Sequence, residues 1–337
     1  MPEGRRWVRP LGWAVSVVSL AAVVWWALQQ DAPTLPDTPE TIAAFAGAIG
    51  LYAVAALVRG ERWRLLLSEC DVAAPRADCH ALIWVGYMGN NVLPARAGDG
   101  MRAVFMAPRA KADLRTVVGT LLAERLLDIA VLAAGFVVLA WLAVGGRGFP
   151  ELSTVAVVLA VLAAGVAVAV LAVAMLHRRG LLHRARELLG PVLHSTRLLR
   201  GRHGAEMVGA TILIWGLELG VWWLCAEAAG LGIDPIEAGY ILALSSMLAL
   251  VPAAPGQAGT MDAAVLIGAR ALGRPQSASV AYLLLLRFVL LVPVTAVGFI
   301  LLVTRYGGAK SLRQRRRIPP EELADAPSSS SGGNIAS

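Results

Sequence analysis

Long apolar runs constrain this chain more than any other feature of its sequence. Several of them reach 18 residues or more, the length that a helix needs to cross about 30 Å of hydrocarbon. They are rich in Leu, Ala and Val and do not alternate with polar residues, so they predict helices rather than barrel strands. About six full transmembrane helices are predicted, at residues 11–28, 41–58, 117–144, 152–176, 207–230 and 277–303.

The composition excludes a soluble globular protein. Apolar residues make up 57% of the chain and charged residues only 16%, and a soluble domain of this length could not bury so much apolar surface. The net charge of +7 is typical of a membrane protein with basic cytoplasmic loops. Nucleic-acid binding is the competing interpretation, but the Arg residues lie beside apolar spans rather than on a separate basic fold. No nucleic-acid partner is therefore predicted.

The positions of charged residues predict the orientation of the chain in a cytoplasmic (inner) membrane. Basic residues in segments 1–10 and 305–337 place both termini in the cytoplasm, and the Ser/Gly-rich end of the tail is expected to be disordered. The loop 29–40 is acidic and is expected outside. Arg59, Arg62 and Arg64 follow the helix at 41–58 and are expected on the cytoplasmic side. The loop 177–204 holds seven Arg against one Glu, which predicts a cytoplasmic loop with an interfacial amphipathic helix.

No metal site, cofactor or catalytic centre is predicted. The three Cys residues form no CxxC pair, and the His residues form no HExxH motif. A Ser-His-Asp set, a phosphate-binding loop and a GxSxG motif are also missing from the sequence. The chain is therefore expected to need no cofactor and not to be an enzyme.

Residues 81–107 predict a re-entrant hairpin. Its apolar part is too short to span a membrane, it breaks at the segment NNVLPARAGDG, and Arg residues flank both of its ends. Both ends are therefore expected on the cytoplasmic side. Pro94 and Gly98 are the predicted hairpin-forming residues, since Pro and Gly break helices. Such breaks are tolerated at membrane depth only where protein or water satisfies the freed backbone groups.

Residues 238–273 predict a second hairpin. Its hairpin-forming residues are Pro252, Pro255, Gly256 and Gly259. Alternation of sides predicts that this hairpin opens outside, although Arg270 and Arg274 run against that orientation because Arg favours the cytoplasmic side.

The order of these elements predicts an all-α polytopic membrane protein with two re-entrant helical hairpins in an inverted-topology repeat. Residues 11–144 contain two helices, a hairpin and a third helix, and residues 152–304 contain the same series starting from the other side. In such repeats the two broken segments meet near the midplane and form a transport site. Two unrelated irregular segments are the alternative.

Polar residues within the predicted membrane region are the candidate substrate-binding residues, because charges there are costly and usually functional. The first hairpin contributes Asn90, Asn91, Arg96, Asp99 and Arg102. The helix at 117–144 contributes Glu124, Arg125 and Asp128, and the helix at 207–230 contributes Glu218. The second hairpin and the last helix contribute Gln257, Asp262 and Arg287.

Each group has a structural alternative to ligand binding. A guanidinium beside opened backbone N–H groups suits a phosphate, which it can bind through two hydrogen bonds, but Arg96 and Asp99 could instead pair and hold the turn. Glu124 could snorkel towards the interface or brace the hairpin. Glu218 could carry a coupled proton or pair with a buried Arg. Arg287 needs either a partner in the protein or an anionic ligand.

Four segments of the sequence resemble the lysylphosphatidylglycerol synthase transmembrane region, a flippase-like family also seen as stand-alone proteins. They are RWRLLL after the second helix, GYMGNNVLPARAGDGMR in the first hairpin, ERLLD in the third helix and VPAAPGQAGTMDA in the second hairpin. The resemblance implies a lipid-translocating domain with two re-entrant hairpins. The family pattern falls on Asn91, Pro94, Arg96, Gly98, Asp99, Arg102, Glu124, Arg125, Asp128, Pro255, Gly256, Gly259 and Asp262.

The chain departs from that pattern at two positions. Asp99 and Asp262 stand where Glu is expected, which keeps the charge but shortens its reach and so affects the fit of the substrate. The soluble aminoacyl-transferring domain of the full-length synthases is also missing from this sequence, so the chain is not expected to make lysylphosphatidylglycerol itself.

The predicted function is lipid transport, with an anionic or phosphate-bearing headgroup drawn by Arg96, Arg102 and Arg287 into a cavity between the hairpins. Membrane lipids of the anionic or polyprenyl-phosphate type are the expected partners, and a lipid-modifying enzyme is a second candidate partner. A membrane-embedded glycosyl- or acyl-transferase component and a non-transporting scaffold of a lipid-modifying complex are the alternatives.

Overall fold

The computed structural model describes residues 36–93, 97–143, 202–248 and 255–307, and these segments are all-helical. They form eight α-helices and a single three-residue 3₁₀ helix, with no strand among them. The α-helices are α1 (Pro39–Glu69), α2 (Arg76–Val92), α3 (Ala97–Arg109), α4 (Leu114–Ala143), α5 (Arg202–Ala228), α6 (Pro235–Leu248), α7 (Thr260–Ala271) and α8 (Gln276–Tyr306). The predicted helices at 11–28 and 152–176 and the amphipathic segment of loop 177–204 lie outside the described residues.

Three of the described helices are long and apolar enough to cross a membrane. They are α1, α8 and the part of α5 from His203 to Ala228. Large apolar side chains point outward along them, including Ile212, Phe299 and Ile300, each more than half exposed. Apolar side chains on the outside of a helical bundle are what a lipid surround requires, so the protein is embedded in a membrane.

Helix α1 continues well beyond the end predicted for it at residue 58. Thr38 caps its N-terminus by accepting a hydrogen bond from Thr41 N, and the chain stays helical to Glu69. The sequence interpretation that Arg59 and Arg62 follow this helix rather than belong to it is therefore wrong. Both side chains are buried inside the helical bundle, because other helices supply the carboxylates that neutralise them.

Two pairs of short helices stand at the positions of the predicted hairpins. Helices α2 and α3 have 17 and 13 residues, and α6 and α7 have 14 and 12 residues. At 1.5 Å per residue each is about 18–26 Å long, which is less than the ~30 Å hydrocarbon core. The first pair begins earlier than predicted, at Arg76 rather than residue 81. Entry and exit on one side of the membrane stays a prediction.

Helices α1–α4 and helices α5–α8 pack in the same order. Within each group the first helix contacts the second and the fourth, and the third contacts the second and the fourth. Between the groups, α2 packs on α8, and its counterpart α6 packs on α4. The two leading helices, α1 and α5, have the most extensive contact with each other.

Helices α1 and α5 run antiparallel. Gly47 near the start of α1 lies against Leu224 near the end of α5, and Gly220 lies against Leu51. At the opposite end, the Glu69 carboxylate lies 3.2 Å from His203 Nδ1 at the start of α5.

Backbone geometry also corresponds between the two groups. Asp71 and Gly230 both have positive φ angles, 57° and 63°, and each lies five residues before the next helix begins. Lys111 and Gly273, with φ angles of 50° and 68°, each lie three residues before α4 and α8. The first and the third connections of the two groups thus share a positive φ at the same distance before the next helix.

Candidate functional site

Eight charged side chains form a continuous network between α1, α3, α4 and α5. Four are arginines and four are carboxylates, so the formal charges of the network cancel. Its members are Arg59, Arg62, Asp99, Arg102, Glu124, Arg125, Asp128 and Glu218. Such a network is stable inside an apolar bundle only because every charge faces an opposite one at short range.

Arg62 is at the centre of this network and is only 1% exposed. Its Nη1 atom donates to Asp128 Oδ1 at 2.7 Å and to Thr211 Oγ1 at 2.8 Å. Its Nη2 atom lies 3.5 Å from Glu124 Oε1. Arg62 therefore joins α1 to both α4 and α5 through a single guanidinium group.

Arg102 fastens the first hairpin to α4. Its Nη2 atom donates to Glu124 Oε2 at 2.8 Å, and its guanidinium lies 4.2 Å from the centre of the Trp63 ring. A cation over an indole face is favourable, more so when both groups are desolvated. The Trp63 indole in turn donates to Thr120 Oγ1 at 3.1 Å. In this conformation Arg102 is held by protein groups on both sides.

A second contact between the hairpin and α4 lies nearer the surface. Arg125 Nη2 donates to both carboxylate oxygens of Asp99, at 3.1 and 2.9 Å. The Arg125 side chain is 36% exposed and that of Asp99 is 26% exposed. This pair is the most exposed part of the network.

Arg59 and Glu218 pair across the contact between α1 and α5. Arg59 Nη2 donates to Glu218 Oε1 at 2.8 Å, and both side chains are about one-tenth exposed. Arg59 lies ten residues before the end of α1, and Glu218 lies ten residues before the end of α5. The two partners thus occupy corresponding positions on their helices, and Glu218 pairs with a buried Arg.

The tip of the second hairpin is held by Arg287 from α8. Arg287 Nε and Nη2 donate to Asp262 Oδ1 at 2.8 and 2.6 Å, and Nη2 also donates to the carbonyl of Gln257 at 3.2 Å. Nη1 donates to the carbonyl of Gly256. Asp262 Oδ2 accepts from Gly259 N at 2.8 Å. A positive φ of 64° at Gly256 turns the chain here, which a residue with a Cβ would resist.

The two broken segments meet at this tip. Gly256 lies beside the carbonyl of Asn91 at the end of α2. Asn91 Nδ2 also donates to the α8 carbonyl of Leu290 at 3.3 Å and to Thr295 Oγ1 at 3.2 Å. The break of the first hairpin, the break of the second and the middle of α8 therefore converge on one region.

The first hairpin closes at a contact between glycines. Gly98 on α3 lies against the carbonyl of Gly86 and the backbone of Asn90 on α2, so close that a Cβ on Gly98 would overlap both. The side chain of Asn90 accepts a hydrogen bond from Gly98 N at 3.0 Å. The pattern that predicted a break here also marks a point where two backbones touch.

Gly98→Ala is expected to lower the melting temperature of the purified protein, because the added methyl group has no space and overpacking typically costs ~1–3 kcal/mol. Thermal unfolding in detergent, followed by tryptophan fluorescence, measures this. Gly100→Ala is the matched control, since nothing lies within 4 Å of its added Cβ. Equal melting temperatures for the two variants would contradict the close contact.

Most of the predicted site residues lie in these two clusters. Asp99, Arg102, Glu124, Arg125, Asp128 and Glu218 belong to the network, and Asn91, Gly256, Gln257, Gly259, Asp262 and Arg287 meet at the hairpin tips. Pro94, Arg96 and Pro252 lie outside the described residues. Pro255 begins the 3₁₀ helix at the tip. The described residues hold no group of acidic, His or Cys side chains that could bind a metal ion.

Sequence reasoning missed Arg59, Arg62, Trp63, Thr120 and Thr211. The signal was present: Arg59 and Arg62 are three residues apart and so lie on one face of a helix, next to an aromatic residue that can stack on a cation. That signal was outweighed by the rule that Arg clusters mark cytoplasmic loops.

The sequence as a whole is similar to that of known proteins. The family model for the lysylphosphatidylglycerol synthase TM region matches residues 12–298, which is most of the chain. A glycosyltransferase named AglD from Haloferax volcanii is 30% identical over 138 residues, covering 40% of this chain. The chain spans 22% of the length of that relative. No solved structure matches.

Proposed function

Because the chain belongs to the lysylphosphatidylglycerol synthase transmembrane-region family, we propose that it translocates a phosphate-bearing or anionic lipid headgroup across the membrane. The chain itself then carries out no covalent chemistry. Only the headgroup needs a polar path, because the acyl chains stay in hydrocarbon throughout. Such a path removes most of the cost of moving a charged group through the membrane.

The observation that carries this proposal is the meeting of the two broken segments. Gly256 of one and Asn91 of the other are neighbours, and Arg287 lies beside them with four hydrogen bonds to the hairpin tip. Irregular backbone at membrane depth occurs where it lines a cavity or is buried in protein, and in transporters it forms the substrate site.

An inverted-topology repeat fits the same proposal. The two groups of four helices have matching contacts, and their leading helices α1 and α5 are antiparallel. An approximate two-fold axis that relates two antiparallel helices is perpendicular to both of them. For membrane-spanning helices such an axis lies in the plane of the membrane. Rocking of one group against the other then exposes the hairpin tips alternately to each side.

Arg287 has the central role in this mechanism. In the conformation described, its guanidinium is occupied by Asp262 and by hairpin carbonyls. A phosphate whose oxygens replace both the Asp262 carboxylate and the hairpin carbonyls keeps the guanidinium paired and frees the hairpin tip from α8. Headgroup binding and hairpin movement are thereby coupled through one side chain, as a switching element requires.

Reconstitution of the purified protein into vesicles tests this proposal. Two fluorescent lipids with the same labelled acyl chain, one with an anionic and one with a zwitterionic headgroup, are placed in both leaflets. A membrane-impermeant quencher reports how fast the inner pool becomes accessible. We expect the anionic lipid to exchange faster than in protein-free vesicles and faster than the zwitterionic lipid. Rates equal to those of protein-free vesicles for every headgroup would refute the proposal.

A role as the membrane part of a transferase system is the second candidate. It is favoured by the similarity to AglD, a protein named as a glycosyltransferase, over 40% of this chain. Under this hypothesis the helical region binds the lipid acceptor of a sugar or acyl transfer. Product formation by the purified chain with a lipid acceptor and an activated donor would support it, whereas translocation without product formation favours transport.

A further inference from the structure

An apolar groove of about 670 Å³ runs between the first hairpin and α8. Val92, Leu93 and Met101 line it from the hairpin, and Val292, Ala296 and Phe299 line it from α8. Thr295 contributes the single polar side chain among the residues that line it. Val292 is 51% exposed and Phe299 is 59% exposed, so the groove opens to the outside of the bundle, where lipid surrounds the protein.

The length of the groove corresponds to one leaflet. The α8 residues that line it extend from Leu291 to Leu302, which is ~16 Å along the helix axis. Half of the hydrocarbon core is ~15 Å thick. One end of the groove lies near the middle of α8, next to Asn91 and the hairpin tips, and the other lies towards the C-terminal end of α8.

Two rows of side chains continue from the groove to a charged cluster. On α3, Met101 is followed by Phe105 and then by Arg109, each one turn further along. On α8, Leu302 is followed by Tyr306, whose ring lies 5.2 Å from that of Phe105. Arg109 lies over the Tyr306 ring at 4.3 Å. The cluster therefore stands directly beyond the end of the groove.

This cluster carries one positive charge in excess. The buried carboxylate of Asp78 is shared by Arg305 Nε at 3.0 Å and Arg109 Nε at 3.5 Å, and it also accepts from the Tyr306 hydroxyl at 2.8 Å. One carboxylate cannot neutralise two guanidinium groups. The Arg305 side chain is 41% exposed and that of Arg109 is 28% exposed, so an anion approaching from the membrane surface can reach both.

We propose that this groove holds one acyl chain of an anionic glycerophospholipid whose phosphate lies at Arg109 and Arg305. The lipid then stands in one leaflet in its ordinary orientation, with its headgroup at the cluster and the end of its chain near the hairpin tips. The position is a loading site, and the headgroup travels from it ~27 Å along α8 to Arg287, which lies 18 residues before Arg305. As a loading site, this inference rests on the proposed transport function and specifies where the substrate lipid binds before transport.

Photo-crosslinking of the reconstituted protein tests the loading site. The probes are phosphatidylglycerol and phosphatidylcholine that carry the same diazirine-labelled acyl chain, and the labelled peptides are mapped by mass spectrometry. We expect phosphatidylglycerol to label the peptide that contains Val292, Ala296 and Phe299 more strongly than other exposed helix surfaces. Phosphatidylcholine is expected to label that peptide several-fold less.

Ala296→Trp is expected to fill the groove and to reduce this labelling several-fold. Ile212→Trp is the matched control, because Ile212 is also exposed, at 57%, but lies on α5, away from the groove. Arg305→Gln is expected to remove the preference for phosphatidylglycerol while Arg109 still pairs with Asp78, and Arg305→Lys should retain it. Arg115→Gln is the control for a general loss of positive charge.

Uniform labelling of all exposed helices, or labelling that Ala296→Trp does not reduce, would overturn the loading site. A dimer that covers the exposed face of α8 and excludes both probes would also overturn it. The test is separate from that of transport: specific labelling without translocation would keep the lipid site and reject the transport function. Translocation without specific labelling would keep the transport function and reject the lipid site.

Discussion

Arg62→Leu is expected to cause the largest loss of stability of any single substitution in the buried network. The change removes the partner that Asp128 and Thr211 contact at 2.7 and 2.8 Å, and it leaves a carboxylate without its closest cation inside the bundle. Breaking a buried ion pair in this way typically costs ~3–5 kcal/mol. Thermal unfolding in detergent and the yield of folded protein after gel filtration measure the effect.

Two comparisons separate this effect from a general sensitivity to losing an Arg on α1. Arg64→Leu removes a half-exposed side chain that pairs with Glu61, and it should cost ~1 kcal/mol or less. Arg62→Leu combined with Asp128→Leu removes both charges and should be less destabilising than Arg62→Leu alone. If the double variant were the less stable of the two, the ion-pair account of this network would be wrong.

Arg287→Ala is expected to have the largest effect on transport. It removes the group that holds the second hairpin to α8, and it removes the cation proposed to meet the headgroup. Losing one partner of a buried charge pair typically costs ~2–5 kcal/mol, so the rate of anionic lipid translocation should fall by at least about tenfold. Arg287→Lys should restore little of it, because an ammonium cannot reproduce the several hydrogen bonds of the guanidinium fork.

Arg274→Ala is the matched control on the same hairpin. Arg274 pairs with Glu237 at 2.8 Å, but both side chains are between one-fifth and one-third exposed, and the pair lies at the opposite end of the hairpin from its tip. Translocation should stay within about twofold of the wild-type rate, since a partly exposed pair of this kind contributes little. A comparable loss in both variants would mean that Arg287 acts only by holding the fold together.

The pairing of Arg274 also bears on how charge was used to orient the chain. Arg274 ran against the predicted external opening of the second hairpin, but its charge is compensated by Glu237. Arg274 thus has a partner within the fold, so its position has an explanation other than the excess of Lys and Arg in cytoplasmic loops. The pattern of single residues could not reveal that compensation.

The sequence predicted the hairpins and the polar residues near them because those features are local. Pro and Gly at membrane depth and carboxylates inside apolar runs can be recognised within one segment. The pairings are different: Arg62 meets Asp128 and Thr211, and Arg59 meets Glu218, all of them residues far along the chain. No single segment indicates such a partner, so the two Arg residues resembled the start of a cytoplasmic loop.

Asn90 and Asn91 also show that a single segment does not reveal the contacts of its residues. Both were predicted to bind substrate, and the residues themselves were well chosen, since both lie at the break. Their observed contacts are internal: Asn90 caps Gly98, and Asn91 ties α2 to Leu290 and Thr295 of α8. The sequence indicated that they lie at the break, but their contacts depend on the packing of α2 against α3 and α8.

The ion pair between Arg59 and Glu218 sets a condition on how the protein can be divided. Each residue lies at the same place on its own helix and faces the other. An assembly of two identical copies of either half would set guanidinium against guanidinium, or carboxylate against carboxylate, in a buried position. The contact therefore needs two halves of unlike sequence, and co-expressed fragments should reassemble as a mixed pair in preference to either matched one.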